Sequence, residues 1–287
     1  MRTIVVSDRT GLIRRPKAVA PSCRDAAACP IGICMSLSGK TALVTGGTRG
    51  IGRSTALALA QQGARVVVMG RTEVDLAAVA KEVDGLAIRV DQADRASVDQ
   101  ALVELASRAG RVDILVNNAG IAESAALERS TDAMWDRIME VNAGSAFRLC
   151  RALVPSMVRT GWGRVVNVAS NAGVSGYKYT AAYCASKHAM VGFTRALAVD
   201  LATTGVTINA ICPGWVDTKM ATDAVERIQR KTGRTEQEAR GALEQMSPQH
   251  RMIEPAEVAH LVVSLCSDLA RGIHGQAIVI DGGQILK

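Results

Sequence analysis

The chain has 287 residues, of which 48% are hydrophobic, 21% charged and 3% aromatic, and it carries a net charge of +7. This balance excludes an intrinsically disordered chain, and no apolar run reaches the ~18 residues that a membrane-spanning helix requires. With so few aromatics, the core has to be built from Ala, Val, Leu and Ile.

Residues 1–34 carry Arg2, Arg9, Arg14, Arg15, Lys17 and Arg24 against Asp8 and Asp25, so +4 of the charge sits there. Pro16, Pro21 and Pro30 interrupt the segment, and no hydrophobic period is sustained. Residues 1–36 are expected to be a disordered leader. A start misassigned upstream of Met35 and an organellar targeting segment are its two explanations. It lacks the apolar stretch of a secretory signal. The remainder carries only +3 and has no lysine-rich helix or basic–aromatic platform, which weighs against nucleic-acid binding. Cys23, Cys29 and Cys34 fall in the leader. Cys150, Cys184, Cys212 and Cys266 lie in apolar contexts without C-x-x-C or metal spacing, as buried thiols of a reduced, cytoplasmic protein do. No metal ligand set is expected.

From Leu37 onward, apolar runs alternate with helical segments. A strand over Thr41–Thr45 leads through glycines into a helix over Ser54–Gln62. Strands follow at Arg65–Met69, Gly85–Val90, Ile114–Asn117, Arg164–Ala169, Thr207–Ile211 and Ala277–Ile280. Helices are expected at Glu73–Val83, Ser97–Ala109, Thr131–Leu153, Ala181–Thr203 and Pro255–Cys266. Val/Ile-rich runs alternating with helices imply a parallel sheet covered on both faces. Right-handed crossovers make it an α/β, Rossmann-like, doubly wound sheet. Residues 37–287 are read as one domain. The stretch at about 218–253 is its insertion over the ligand crevice, with one charged helix over Glu226–Gln245.

The turn Thr45-Gly46-Gly47-Thr48-Arg49-Gly50-Ile51-Gly52 follows the first strand and opens the first helix, where backbone N–H groups can meet a pyrophosphate. The second strand ends Val68-Met69-Gly70-Arg71, with no acid to take a ribose hydroxyl. Arg71 and Arg49 both suit a 2′-phosphate, since a guanidinium forms forked, charge-assisted bonds to it. NADP(H) is favoured on these grounds, with NAD(H) as the alternative.

Tyr183 and Lys187, four apart on a helix, share a face. A phenol near pKa 10 exchanges protons slowly at neutrality, and an adjacent ammonium favours its phenolate. Ser170, at the end of a strand, is placed to hold a carbonyl oxygen beside Tyr183. Trp215 is read either as pocket lining or as packing within its loop. Tyr177 and Tyr179 precede the helix and border the pocket, and Lys178 is a solvated charge. Cys184 is a buried thiol. His188, with no partner at metal spacing, is structural.

In this order the motifs resemble the short-chain dehydrogenase/reductase family over residues 37–287, and in particular its 3-oxoacyl-thioester reductases. The glycine turn matches T-G-x-x-x-G-I-G, Asn117–Gly120 matches N-N-A-G, and Asp281–Gly283 matches the usual C-terminal turn. The resemblance implies a catalytic set of Asn142, Ser170, Tyr183 and Lys187, with Tyr183 as acid or base and Asn142 keeping a relay water. It implies cofactor contacts at Gly46, Thr48, Arg49, Gly50, Ile51 and Gly52 in the first turn. Arg71, Asp91 and Gln92 would serve the adenosine half, with Asn118, Ala119 and Gly120 beside them. Pro213, Gly214, Val216 and Thr218 would cover the nicotinamide, and Tyr183 and Lys187 its ribose. Ser170, Tyr177, Tyr183 and Trp215 would meet substrate. Relatives acting on 3-hydroxybutyrate hold its carboxylate with a His two residues after the Ser and a Lys three before the Tyr. This chain has Ala172 and Thr180 there, so an acyl thioester on CoA or a carrier protein is the expected substrate. A cyclic or aromatic ketone and 3-hydroxybutyrate are the alternatives, and a non-catalytic NADP(H) sensor is the reading from a different class. A homotetramer is implied by resemblance as well.

Overall fold

The computed structural model describes residues 36–286. The expectations for the leader, for a start at Met35 and for the three leader cysteines lie outside the described residues.

Seven strands form a single sheet: β1 (Thr41–Thr45), β2 (Arg65–Gly70), β3 (Leu86–Arg89), β4 (Ile114–Asn117), β5 (Gly163–Val168), β6 (Val206–Pro213) and β7 (Ala277–Ile280). All pairings are parallel, in the order β3-β2-β1-β4-β5-β6-β7. The helices are α1 (Gly50–Gln61), α2 (Glu73–Glu82), α3 (Arg95–Ala109), α4 (Asp132–Met139), α5 (Ser145–Thr160), α6 (Ala181–Leu201), α7 (Lys219–Thr232), α8 (Glu236–Glu244) and α9 (Pro255–Cys266). Successive strand residues feed opposite layers, because side chains alternate across a strand. Val44, Val66, Val68, Val116 and Val166 pack with Leu59 of α1, Leu76 of α2 and Val262 of α9. Leu43, Val67, Met69, Leu115 and Val165 pack with Leu105 of α3, Leu149 of α5 and Leu201 of α6. This is the doubly wound α/β sheet that the alternation of runs predicts.

Parallel strands put all their C-terminal ends on one edge. The glycine turn, Arg71, Asp91, Asn118–Gly120, Ser170 and Gly214 each follow a strand end closely, so topology alone gathers them there. The strand order reverses between β1 and β4, which opens the crevice where such sheets hold ligands.

Two expected helices differ from the sequence reading, in three respects. The helix expected over Thr131–Leu153 is α4, a π-helical turn at Glu140–Gly144, and α5. The wide turn accommodates the fully buried Asn142 and is pinned by Glu140, which pairs with Arg95 at 3.2 Å and with Arg148. The helix also runs past Pro155 to Thr160. The buried face of Leu149, Val154 and Met157 outweighs the one donor that proline removes. In the insertion, the single charged helix is two helices. Gly233, at φ +72°, ends α7, and Thr235 opens α8 with a reciprocal capping box to Glu238.

Cys150 and Cys266 lie in the two opposite core layers, and burial pushes both thiols up to about 12. A raised folded-state pKa means stability that is intact below the unfolded thiol value near 9 and lost as pH climbs toward 12. The loss is of order 4 kcal/mol per thiol at the top of that window. Urea unfolding between pH 9 and 12 should show it, and Cys150→Ala should flatten the slope. An equally steep slope in the variant would assign the alkaline loss elsewhere.

Candidate active site

The glycine turn is built by close backbone approach. A Cβ at Gly52 would lie 2.2 Å from the Gly46 oxygen, and one at Gly46, itself at φ +61°, would lie 3.0 Å from Ala119 Cα. Thr45 holds the next strand end against this turn, its hydroxyl accepting from the N–H groups of Asn118 (2.9 Å) and Ala119 (3.0 Å). Asn118 returns its side-chain amide to the Thr45 and Gly46 carbonyls at 2.8 and 3.1 Å. Arg49, exposed at the N-cap of α1, gives no side-chain cap, and the first turn of α1 has no acid. The N–H groups and the positive end of the helix are thus presented to an anion. Thr48 meets the end of β2, its methyl 3.1 Å from a Cβ built on Gly70, so Arg49 and Arg71 each adjoin one of two residues in close approach. Thr218 lies against the same turn, its methyl 3.0 Å from a Cβ built on Gly50. This cradle fits a dinucleotide phosphate.

Five further cofactor candidates differ in their surroundings. Ile51 packs against the core. The Asp91 carboxylate accepts from Ala93 N–H at 3.0 Å while remaining exposed. Gln92 is buried, and among the described residues both atoms of its amide lack a partner, so it is fitted for a polar ligand at the end of β3. Val216 is buried and bridges to Ile253, closing the base of the insertion. Gly214, after Pro213, lies so close to the C-terminal turn that a Cβ there would be 2.7 Å from Asp281 Cβ.

The catalytic candidates converge beside the crevice. Lys187 is 4% exposed, and its Nζ donates to the Val168 carbonyl at 2.9 Å. A Cβ on Gly120 would be 3.5 Å from that Nζ and 3.3 Å from Asn142 Oδ1. The Lys187 amine stands 5.8 Å from the centre of the Tyr183 ring. Ser170 accepts from Ala172 N–H at 3.1 Å, and its hydroxyl lies near enough to Tyr183 to act on the phenol's pKa. Asn142 spends both N–H groups of its amide, and one lone pair of its oxygen, on protein. Oδ1 accepts from Ile121 N–H at 2.8 Å, and Nδ2 donates to Ile121 O at 3.0 Å and to Ser186 Oγ at 2.9 Å. Ser186 in turn donates to the Tyr183 carbonyl at 2.7 Å. This side chain therefore locks the 121 loop to α6, and its amide has no donor left over for a relay water.

Electrostatics run against the expectation of an acidified phenol in the protein alone. Burial pushes the Tyr183 phenol up, with the Ser170 hydroxyl opposing. Burial also brings the Lys187 amine down to about 8, opposed by Cys212. Desolvation disfavours both charged forms, so the phenol rests neutral while the amine stays protonated below about pH 8. Tyr183 therefore keeps its proton at neutral pH and holds it more tightly than a free phenol does.

The substrate-side tyrosines separate. Tyr177 is partly buried and takes the amide of Gln284 at 3.2 Å. Tyr179 is 64% exposed and sits at φ +65°. Trp215 packs into the apolar cluster of α7 and α8, with Ala224, Val225 and Leu243, so the packing reading is the one its contacts follow. His188 is exposed and its ring meets the Cys184 carbonyl at 2.9 Å. Thr45, Asn171, Ser186 and Gln284 were not singled out from sequence. Only the adjacency of Thr45 to the glycines and of Asn171 to Ser170 could have flagged any of them. Among the described residues, no three His, Cys, Asp or Glu side chains cluster to hold a metal, and no helix is long and apolar enough to cross a membrane.

Comparison with known proteins matches residues 40–229 to the short chain dehydrogenase family model. The chain is 42% identical to D-beta-hydroxybutyrate dehydrogenase of Cupriavidus necator over 257 residues, covering 88% of this chain and all of that one. It is 35% identical to the 3-oxoacyl-[acyl-carrier-protein] reductase of Thermotoga maritima, with the same coverages. A variant of actinorhodin polyketide ketoreductase solved with NADPH superposes with a TM-score of 0.82 at 36% identity, over 85% of this chain and 97% of that one.

Proposed function

The chain belongs to the short-chain dehydrogenase family, and from that premise we propose that it is an NADP(H)-dependent oxidoreductase interconverting a 3-oxoacyl thioester and its 3-hydroxyacyl form. The observation that carries the chemistry is the convergence of Lys187, Gly120 and Asn142, with the Lys187 amine 5.8 Å from the Tyr183 ring and Ser170 beside it. When bound, the nicotinamide supplies or takes the hydride. Tyr183 gives its phenolic proton to the carbonyl oxygen in reduction and takes it back in oxidation. Ser170 orients that oxygen. Lys187, fixed by the Val168 carbonyl, presents its remaining protons to ribose hydroxyls and supports the charge that develops on Tyr183. Thr218 and the 213–218 loop would cover the bound nicotinamide and keep reacting groups in register. The uncapped start of α1 with Arg49 and Arg71 would hold the pyrophosphate and the 2′-phosphate.

The substrate reading rests on two positions. Ala172 is buried. The Thr180 hydroxyl donates to the Tyr177 carbonyl at 2.9 Å and faces Cys184 Sγ at 3.2 Å. Neither offers a cation to a free carboxylate, which favours a thioester despite the 42% identity to a hydroxybutyrate enzyme. The likeness to a polyketide ketoreductase keeps a cyclic or aromatic ketone as the second reading. An intact Ser170, Tyr183 and Lys187 speaks against a sensor, which needs no acid. We further propose a single catalytic domain over residues 37–287 and a cytoplasmic homotetramer. Its free thiols suit a reducing compartment, and the half-exposed Phe147 of α5 suits burial against another copy.

Following NADPH oxidation with acetoacetyl-CoA, acetoacetate and trans-1-decalone tests the substrate. Turnover of the thioester well above the other two is expected, and brisk reduction of decalone with an inert thioester would sink the thioester reading. In the same assay, Arg49→Ala with Arg71→Ala should raise KM for NADPH about ten- to a hundredfold, the loss of charge-assisted bonds, while KM for NADH moves little. Equal rises for both cofactors would remove the 2′-phosphate from the argument.

A further inference from the structure

We infer that Gln284, in the short helical turn at Gln284–Leu286, is a positioning residue that sets the substrate-side wall of the active site. Its amide bridges two groups that approach the site from different directions. Nε2 donates to the Tyr177 hydroxyl at 3.2 Å, and Oε1 accepts from Asn171 Nδ2, also at 3.2 Å. Asn171 adjoins Ser170, whose hydroxyl reaches Asn171 Oδ1 at 3.5 Å. The bridge thus joins the serine turn, the 174–180 loop and the C-terminal turn.

The bridge is held from below. Asp281, 4% exposed, accepts from the N–H groups of Gly283 (2.9 Å), Gln284 (3.1 Å) and Ile285 (3.1 Å). It also takes Asn171 Nδ2 at 3.4 Å. Gly282 and Gly283 turn the chain at φ +65° and +87°, which directs Gln284 back over the sheet edge. A Cβ at Gly214 would lie 3.3 Å from Gln284 Oε1, so the loop after β6 abuts the same amide. Burial pushes the Tyr177 phenol up to about 12, so this hydroxyl stays neutral and can accept from the amide throughout the working range. Tyr177 itself is anchored by its carbonyl, which takes the Thr180 hydroxyl at 2.9 Å. With both ends tied, its ring is a fixed wall rather than a mobile flap. Gln284 touches none of the proton-carrying atoms, so its removal should loosen substrate binding and leave the chemical step alone.

The inference rests on the oxidoreductase reading and borrows the thioester reading only for a probe. Gln284→Ala and Tyr177→Phe, singly and together, would be compared with NADPH and acetoacetyl-CoA, and with trans-1-decalone. For Gln284→Ala, KM should rise about three- to tenfold, the value of one or two neutral hydrogen bonds, with kcat within about twofold. The double variant should be little worse than either single one, because both remove the same bond. Hydrogen–deuterium exchange of the NADPH complex gives a readout independent of turnover. Residues 174–180 should exchange faster in Gln284→Ala, with α1 and α3 unchanged. Loss of kcat with KM unmoved, multiplying effects in the double variant, or unchanged exchange over 174–180 would each overturn the inference. A wild-type protein inert to acetoacetyl-CoA but active on decalone would sink the thioester reading alone, and the same variants would then be judged on decalone.

Discussion

Tyr183→Phe is expected to lower kcat by about two to four orders of magnitude, the range that a positioned general acid contributes, while NADPH affinity stays within about twofold. The substitution removes one oxygen and keeps the ring that stands 5.8 Å from the Lys187 amine. The helix is unaffected, because Ser186 is tied to the Tyr183 carbonyl and not to its side chain. Ser170 retains its bond from Ala172 N–H, so the carbonyl-holding hydroxyl stays in place without its acid. The measurement pairs steady-state NADPH oxidation with a fluorescence titration of NADPH. More than about a tenth of wild-type turnover in Tyr183→Phe would assign the proton to another group.

Lys187→Met should separate activity from stability in opposite directions. Turnover is expected to fall by a similar two to four orders of magnitude. The fold should be no weaker, since the lysine is held in its site against its solvation preference. Its folded pKa of about 8 lies below the ordinary 10.5, with burial as the main cause. The sign follows from proton counting: between those two values the unfolded chain binds more protons, so stability rises with pH through that window and is lost as pH falls toward 8. Below it the buried ammonium carries a penalty of order 3 kcal/mol. Methionine removes that penalty and gives up one hydrogen bond to the Val168 carbonyl, worth about 1 kcal/mol. Urea midpoints at pH 7 should therefore be equal or higher in the variant, even as activity collapses. A variant that unfolds readily and loses activity only in proportion would make Lys187 a structural residue.

The parts of the fold that were legible are those written in short-range patterns. The run Arg65–Met69 and its counterparts are apolar without alternation, which only a strand covered on both faces explains. Thr41–Thr45, Ile114–Asn117 and Ala277–Ile280 coincide with the observed strands. Thr131–Leu153 was legible as helical but not as a helix with a π-helical turn, because the turn exists to bury Asn142 against Ile121 and Ser186. The break at Gly233 was hidden inside a run of charged helix formers, although the Thr235–Glu238 spacing carries the capping signal.

The alternation of apolar runs by itself determined a parallel, doubly wound sheet. Glycine, arginine and i, i+4 spacings by themselves determined where a dinucleotide and a Tyr–Lys pair would lie along the chain. Tertiary structure alone decided that Gln284 reaches Asn171 across 113 positions, that the Asn142 amide ties the 121 loop to Ser186 of α6, and that Trp215 packs with α7 and α8. It also decided the direction of the Tyr183 and Lys187 shifts. Periodicity and turn chemistry act between residues a few positions apart. Desolvation and hydrogen-bond partnership depend on whatever distant segments the fold lays over a group, and those segments carry no mark of it in the local sequence.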